Sequence, residues 1–314
     1  KTVLKKVQLS ATPGTSYDGW LSTFYVYDDF NNLRAVIPPK AVQLAKNVSW
    51  VISTAVMNGL CFRYDYDERQ RMIVKKVPGA GIEEMVYDTR DRLVFHRDGN
   101  MTANNQWMVY FYDVQNREVM TALWNSATKS RSTLQSEMNA SVPASSAVSN
   151  TFPGIADLVL GSFDGSPQYK ARNMIVLETG FDTNGGETEL SIDPNLTEGT
   201  QSVSVYNPGP TIVQSQLTYL TYTFYDDYSF TGAQAKVTAD LTALSPGSAE
   251  YANFSSQTRG LVTGTKVRVL GTDRWLTTTN YYNNKGKAVQ VIADNYAGSF
   301  VRIFSSLNRK LNKS

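Results

Sequence analysis

The chain has 314 residues, enough on length alone for about two domains and at least one large core. Thirty Lys and Arg against 28 Asp and Glu leave a formal charge of +2, which gives no general electrostatic case for nucleic acid or an anionic membrane. One His and one Cys exclude a histidine cluster, a mixed Cys/His zinc set and any disulfide within the chain, while 18 Tyr against 13 Phe suit half-buried strands.

The chain opens Lys1-Thr2-Val3, without an initiator Met and without a basic stretch leading into an apolar one. No run approaches the ~18 apolar residues of a membrane span, so no membrane insertion is expected. A piece of a larger protein is the expectation.

In chain order, the first recognisable unit is Tyr27-Asp28-Asp29-Phe30-Asn31-Asn32-Leu33. Residues 40–60 then read helically, with Ala41, Leu44, Ala45, Val56, Met57 and Leu60 in phase and Asn58-Gly59 near the stop, which predicts one or two short helices. The first unit is echoed by Tyr66-Asp67-Glu68-Arg69-Gln70-Arg71-Met72, by Tyr87-Asp88-Thr89-Arg90-Asp91-Arg92-Leu93 and by Tyr112-Asp113-Val114-Gln115-Asn116-Arg117-Glu118. The shared frame is Tyr-Asp, two variable residues, a turn former, a basic residue (Asn32 is the exception) and usually an apolar one. Between 127 and 220 the frame vanishes, Ser and Thr are dense, and four bases face nine acids. Tyr169 to Leu177 and Glu187 to Ile192 there flank a turn with Gly180 and Asn184-Gly185-Gly186, which predicts a small inserted β module. The array resumes near Leu220, where Thr221 to Asp227 begins another strand and turn. It weakens in Tyr282-Asn283-Asn284-Lys285-Gly286-Lys287-Ala288 and further in Phe304-Ser305-Ser306-Leu307-Asn308-Arg309-Lys310. The expected divisions are therefore 1–126, 127–220 and 221–314.

The frame has a physical reading. The aromatic ends an incoming strand, and the Asp side chain caps its own turn. The fifth position holds residue types that include the best at tolerating a left-handed backbone, and the next strand leaves at once. Pro78-Gly79-Ala80-Gly81 and Arg97-Asp98-Gly99-Asn100 are expected to turn the opposite ends. Hairpins of this kind are marginal alone and must pair with their neighbours, which predicts a continuous, all-β sheet.

The frame resembles the YD repeat of the Rhs family, which includes the shells of bacterial toxin complexes and teneurins. Phe62 to Met72 followed by Lys75-Lys76-Val77-Pro78-Gly79-Ala80-Gly81 is its most specific stretch, and it is similar to the large secreted Rhs-like proteins of Bacteroidota. Tyr222 to Phe230 and Thr258 to Arg268 read like the same subgroup, so the resemblance covers residues 20–126 and 220–314. Residues 169–193 are similar to a small β module of extracellular proteins in those bacteria. The resemblance implies a curved or spiral β-hairpin ribbon, toxin-shell-like, with short helices at about 40–60 and an inserted β-sandwich-like module. It also implies enclosure or scaffolding of another polypeptide, either toxin cargo or a surface protein, by an exported, secreted or cell-surface protein. Self-cleaving relatives carry a core signature that is not found here, so no cleavage residue carries over.

Other patterns yield to plainer explanations. His96-Arg97-Asp98 echoes a kinase catalytic loop without the phosphate loop, lysine or Asp-Phe-Gly that a kinase needs. Gly79-Ala80-Gly81 lacks the third glycine and the helix of a dinucleotide site. Asp28-Asp29, Glu83-Glu84 and Asp226-Asp227 are carboxylate pairs, but adjacent strand residues point to opposite faces, so neither Asp28-Asp29 nor Asp226-Asp227 makes a dyad by itself. His96 is the one imidazole that a Ser-His-Asp set could use, and it sits in a repeat strand. Cys61 is expected to be buried and structural. Trp20, Trp50, Trp107, Trp124 and Trp275, with many Tyr, either offer stacking faces to sugars or a disordered polypeptide or pack between hairpins, and packing is the expectation for the tyrosines of the repeat frame. Arg71, Arg92, Arg117, Lys287 and Arg309 recur near Asp67, Asp88 and Asp113, as ladders of opposite charge screened by solvent.

The expected function is structural and non-enzymatic, with no catalytic residue, no cofactor, no metal, a polypeptide partner and no nucleic acid. An extracellular adhesin, in which the insert binds glycan or protein, is the alternative. A glycoside-active enzyme is a distant third. The residues expected to matter are those of the repeat turns: Tyr27 and Asp28; Tyr66, Asp67 and Arg71; Tyr87, Asp88 and Arg92; Tyr112, Asp113 and Arg117; Tyr282, Gly286 and Lys287.

Overall fold

The computed structural model describes residues 2–8, 20–125, 127–207, 209–210, 212–239, 254–295 and 300–304. The weak repeat expected at Phe304 to Lys310 lies outside the described residues, apart from Phe304 itself. The protein is mostly β and antiparallel, and it divides into two compact units. The first holds 1–110, 122–143 and 207–218; the second holds 111–121, 144–206 and 219–314.

The first unit begins with β1 (Thr2–Gln8), β2 (Trp20–Tyr27) and β3 (Leu33–Ile37). Two short helices follow, α1 (Pro39–Lys46) and α2 (Thr54–Leu60), where the sequence predicts them. Pro39 suits the first turn of α1, where its missing N–H costs nothing, and the Ser53 hydroxyl caps α2 by accepting from the Val56 amide at 3.3 Å. Strands β4 (Phe62–Tyr66), β5 (Met72–Lys76), β6 (Ile82–Tyr87) and β7 (Leu93–Arg97) continue the hairpins. A short helix α3 (Gly99–Ala103) leads to β8 (Trp107–Tyr112) and β9 (Glu118–Trp124), and α4 (Arg131–Ala140) closes this stretch. Strands β1 to β9 lie in hydrogen-bonded order, each beside its neighbour in sequence.

Two local turns differ in kind. Val77-Pro78-Gly79-Ala80 is a tight turn, closed by the Ala80 amide on the Val77 carbonyl with Gly79 at φ +75°. Arg97 to Asn100, expected as a hairpin turn, instead starts α3, because the Asp98 carboxylate accepts from the Met101 amide at 2.8 Å and caps a helix. Gly99 also lies backbone to backbone against Gly81, where a Cβ on either residue would overlap the other chain segment.

Burial in β8 alternates residue by residue, as a sheet with one covered face requires. Phe95 packs edge-on to Trp107 at 6.3 Å between ring centroids and against Trp124 at 6.0 Å. Helix α4 buries Leu134 and Met138 and straddles β6, where Gln135 accepts from the Tyr87 amide and donates to its carbonyl.

The second unit takes in the end of β8 and the start of β9 together with β16 (Leu217–Tyr225) from Tyr219 onward, β17 (Val262–Arg268), β18 (Trp275–Tyr282), β19 (Ala288–Asp294) and β20 (Phe300–Phe304), again in sequence order. Before them in the chain come β10 (Ser146–Pro153), β11 (Asp157–Leu160), β12 (Gln168–Ala171), β13 (Met174–Leu177), β14 (Glu189–Ile192) and β15 (Thr197–Val205). Strands β10 and β15 form an antiparallel pair. Tyr169 to Leu177, expected from sequence to flank the glycine turn, is broken at Arg172-Asn173 into β12 and β13. Neither strand pairs across the glycine turn: β13 runs parallel to β11, and β14 runs parallel to β12. The result is a two-rung parallel coil. Phe152 anchors the unit's core, edge-on to Tyr222 at 5.2 Å and to Trp275 at 5.1 Å. Lys266 is wholly buried beneath Phe152 and is neutralised by Glu198 at 2.6 Å.

Candidate functional site

The residues singled out by the repeat frame form one device built five times. In every copy the residue at position two accepts a bond from the backbone amide four positions on: Asn32 on Asp28, Arg71 on Asp67, Arg92 on Asp88, Arg117 on Asp113 and Lys287 on Asn283, at 2.8 to 3.0 Å. The position-five amide donates back to the position-two carbonyl at 3.0 to 3.1 Å. That geometry forces position five into the left-handed region, and Asn31, Gln70, Asp91, Asn116 and Gly286 have φ between +61° and +70°. The frame therefore tolerates several residue types at position five but favours those with little or no Cβ penalty.

Position six closes the turn. Arg71, Arg92 and Arg117 each donate from Nε to the Oδ2 of their own aspartate, at 2.7, 2.6 and 2.6 Å. Asn32 does the same with its side-chain amide at 3.3 Å on Asp28, which accounts for the exception in the first repeat. The Arg92–Asp88 pair departs from the expected screened ladder, since its side chains are 8% and 0% exposed. A pair so buried escapes solvent screening and depends on its hydrogen bonds to offset desolvation. Burial opposes ionisation of Asp67, but the bonds from Arg71 outweigh it and hold the carboxyl below its ordinary value.

Position one joins one hairpin to the last. The hydroxyls of Tyr66, Tyr87, Tyr225 and Tyr282 donate to the carbonyls of Leu33, Met72, Glu118 and Val262, at 3.1, 2.8, 3.0 and 2.6 Å. The first three acceptors stand at position seven of the preceding repeat. Arginines reinforce the joint: Arg71 lies 4.7 Å over the Tyr87 ring, and Arg117 lies 4.3 Å over Tyr225. Arg71 also donates to the Asp88 carbonyl and to Asp91, both in the next repeat.

Tyr225 and Val262 belong to a sixth copy, whose opening at Thr221 to Asp227 the sequence shows but whose closing half it does not. Tyr225 is paired with Val262 and Asp226 donates its amide to the Leu261 carbonyl, as positions one, seven, two and six do elsewhere. Gly260 takes the left-handed place at φ +83°, and its amide donates to Asp226 at 2.6 Å. Residues 227–259 separate the two halves in sequence, so the seven-residue spacing is lost. The surviving signal is Tyr225-Asp226 answered by Gly260-Leu261-Val262. Leu261 supplies no cation, and Arg117 serves both carboxylates, which depresses the Asp226 pKa through its side-chain bonds first and the Gly260 amide second. Beside this cluster lies a groove of about 380 Å³, lined by Asp113, Arg117, Tyr225 and Asp226 and by Gln201 to Ser204 of β15.

The other candidates are occupied by structure. His96 Nε2 lies 3.8 Å from Glu83, which Lys75 already holds at 3.0 Å, and Glu84 pairs with Arg97 at 2.5 Å. Cys61 is fully buried, and burial pushes its thiol pKa up. Trp107 and Trp124 are buried, whereas Trp50 is half exposed on the loop after α1. Among the described residues no group of His, Cys, Asp and Glu is arranged to hold a metal ion.

No protein-family model matches the chain, and no curated protein does. Solved structures do show a distant likeness. A crystal structure of TcdB2-TccC3 without its hypervariable C-terminal region is 9% identical with a TM-score of 0.28, covering 92% of this chain and 11% of that one. The Photorhabdus luminescens Tc holotoxin pore is 9% identical with a TM-score of 0.30, covering 94% of this chain and 13% of that one. A second TcdB2-TccC3 structure is 10% identical with a TM-score of 0.29, covering 89% and 13%. The chain thus spans only about an eighth of each of these three structures.

Proposed function

We propose that the chain is a non-enzymatic structural protein, part of an exported Rhs-type β-shell that encloses or scaffolds another polypeptide. The observation that carries this reading is the tyrosine joint, in which the hydroxyl at position one of one hairpin bonds the position-seven carbonyl of the hairpin before it. Each joint involves only the two hairpins it connects, so an array built this way lengthens by adding repeats, the logic of a scaffold. The conspicuous charged side chains serve the turns: Arg71, Arg92 and Arg117 are committed to aspartates. A polypeptide partner, a place outside the cell or on its surface, and independence from any cofactor are parts of the same proposal.

The test is protection of an unfolded polypeptide. A disordered reporter fused to the full chain is expected to survive trypsin several-fold longer than the reporter alone, and to cross-link to the sheet. Digestion at equal rates would overturn the reading.

A further inference from the structure

Among the described residues no further strand follows the second rung of the β11 to β14 coil. Register partners in a parallel pair share a face, so the second rung repeats the first in position. Leu160, Tyr169 and Ala171 in the first rung are 8%, 9% and 0% exposed. Their partners in the second rung, Leu177, Leu190 and Ile192, are 47%, 41% and 49% exposed. An apolar stripe that is core in one rung is therefore surface in the next.

The backbone at that edge is open as well. The Glu189 and Asp193 amides donate to Pro167 and Ala171 in the first rung. By the alternation of a parallel ladder, the amides and carbonyls of Leu190 and Ile192 are turned away from β12. No strand among the described residues pairs with them. Edges are usually blunted by lysine, proline or a covering loop, since a flat apolar edge invites another strand.

Charge selects the occupant. Between Asn173 and Ala235 the sequence contains no Lys or Arg, whereas Glu178, Asp182, Glu187, Glu189 and Asp193 fall in the second rung or at its ends. A second copy docked through the same edge would set acids against acids. We propose that the β14 edge captures an extended, basic polypeptide segment by strand addition. Main-chain bonds would form to Leu190 and Ile192, alternate apolar side chains would extend the Leu177-Leu190-Ile192 stripe, and Lys or Arg would meet the acidic rim. This goes beyond the scaffold reading and stands apart from it, because the reporter experiment involves none of these residues.

The probe is a fluorescent peptide of about six residues alternating Lys and Val, titrated against the full chain. Saturable binding is expected. N-methylation of alternate peptide amides, or the exposed substitutions Leu190→Thr and Ile192→Thr together, is expected to weaken it at least about tenfold. Glu187→Gln is expected to weaken it less and to flatten its salt dependence. No binding, equal binding of the N-methylated peptide, equal binding of a Glu/Val peptide, or self-association through this edge that the Lys/Val peptide does not displace would each overturn the proposal. The N-methylated peptide decides the matter on the unaltered protein even if the double variant fails to fold.

Discussion

Arg117 grips Asp226 with both terminal guanidinium nitrogens, at 3.0 and 2.9 Å, while its Nε holds Asp113 at 2.6 Å. One cation thus closes its own turn and anchors the next hairpin. Arg117→Met removes the charge at similar length and leaves two carboxylates without it. Charge-assisted bonds are worth about 1.5–3 kcal/mol each, but Asp226 is 39% exposed and screening discounts them, so a loss of about 1–2 kcal/mol is expected in urea unfolding.

The same pair predicts a pH dependence. Arg117, and then the Gly260 amide, hold the Asp226 carboxyl below its ordinary value. A depressed carboxylate stabilises the fold above its unfolded pKa of about 4, and this contribution fades as pH falls through the folded value. The gap in melting temperature between wild type and Arg117→Met should therefore shrink below about pH 4. A gap that widens on acidification contradicts the assignment.

Asp88 and Arg92 form the most buried pair of the array. Asp88→Ala strands a buried guanidinium and is expected to cost about 3–5 kcal/mol. Asp88→Asn keeps an oxygen for the Arg90 and Arg92 amides, as Asn283 does for Lys285 and Lys287, and should cost clearly less. Chemical denaturation of both variants tests the order, and equal costs would remove the turn-capping role from the carboxylate.

Tyr87→Phe and Tyr282→Phe delete only the hydroxyls that reach Met72 and Val262. Each should cost about 0.5–1.5 kcal/mol. Burial raises the pKa of both phenols. A raised phenol contributes stability below its unfolded pKa of about 10 and loses that contribution as pH climbs, so the wild-type advantage over each Phe variant should fade in alkali. Ultraviolet titration followed alongside unfolding measures it.

Gln70 is the fifth-position residue least suited to φ +61°, since it lacks the local bonding that eases Asn or Asp into this region. Gln70→Gly should raise stability by about 0.5–1 kcal/mol, and Asn116→Gly should raise it less. Thermal melts of the two variants read the difference, and a destabilised Gln70→Gly would place strain elsewhere in the turn.

The repeat turns were legible because each is local. Tyr66 to Met72 contains its own cap, its own left-handed residue and its own cation, so spacing alone exposes the device. The short helices were legible for the same reason, through the periodicity around Leu44 and Val56 and the Asn58-Gly59 stop. Asp98 misled because an Asp-Gly pair suits both a hairpin turn and a helix cap, and the choice rests with the residues C-terminal to it. Of the sixth copy only the opening at Thr221 to Asp227 was legible, because 33 residues separate Asp226 from Gly260 in sequence. No local window contains both halves.

Composition and spacing by themselves determined a β-rich chain, the places where its hairpins turn, and the residues that cap them, because those bonds run between positions two to four residues apart. Tertiary structure alone decided which hairpin carbonyl each tyrosine reaches, that Arg117 serves two aspartates, that the Asp88 pair is dry, and that the second rung of the coil leaves Leu177, Leu190 and Ile192 uncovered. Each of these depends on segments far apart in sequence coming together. Desolvation and shared partners arise only at such meetings, and no local pattern of residues encodes them.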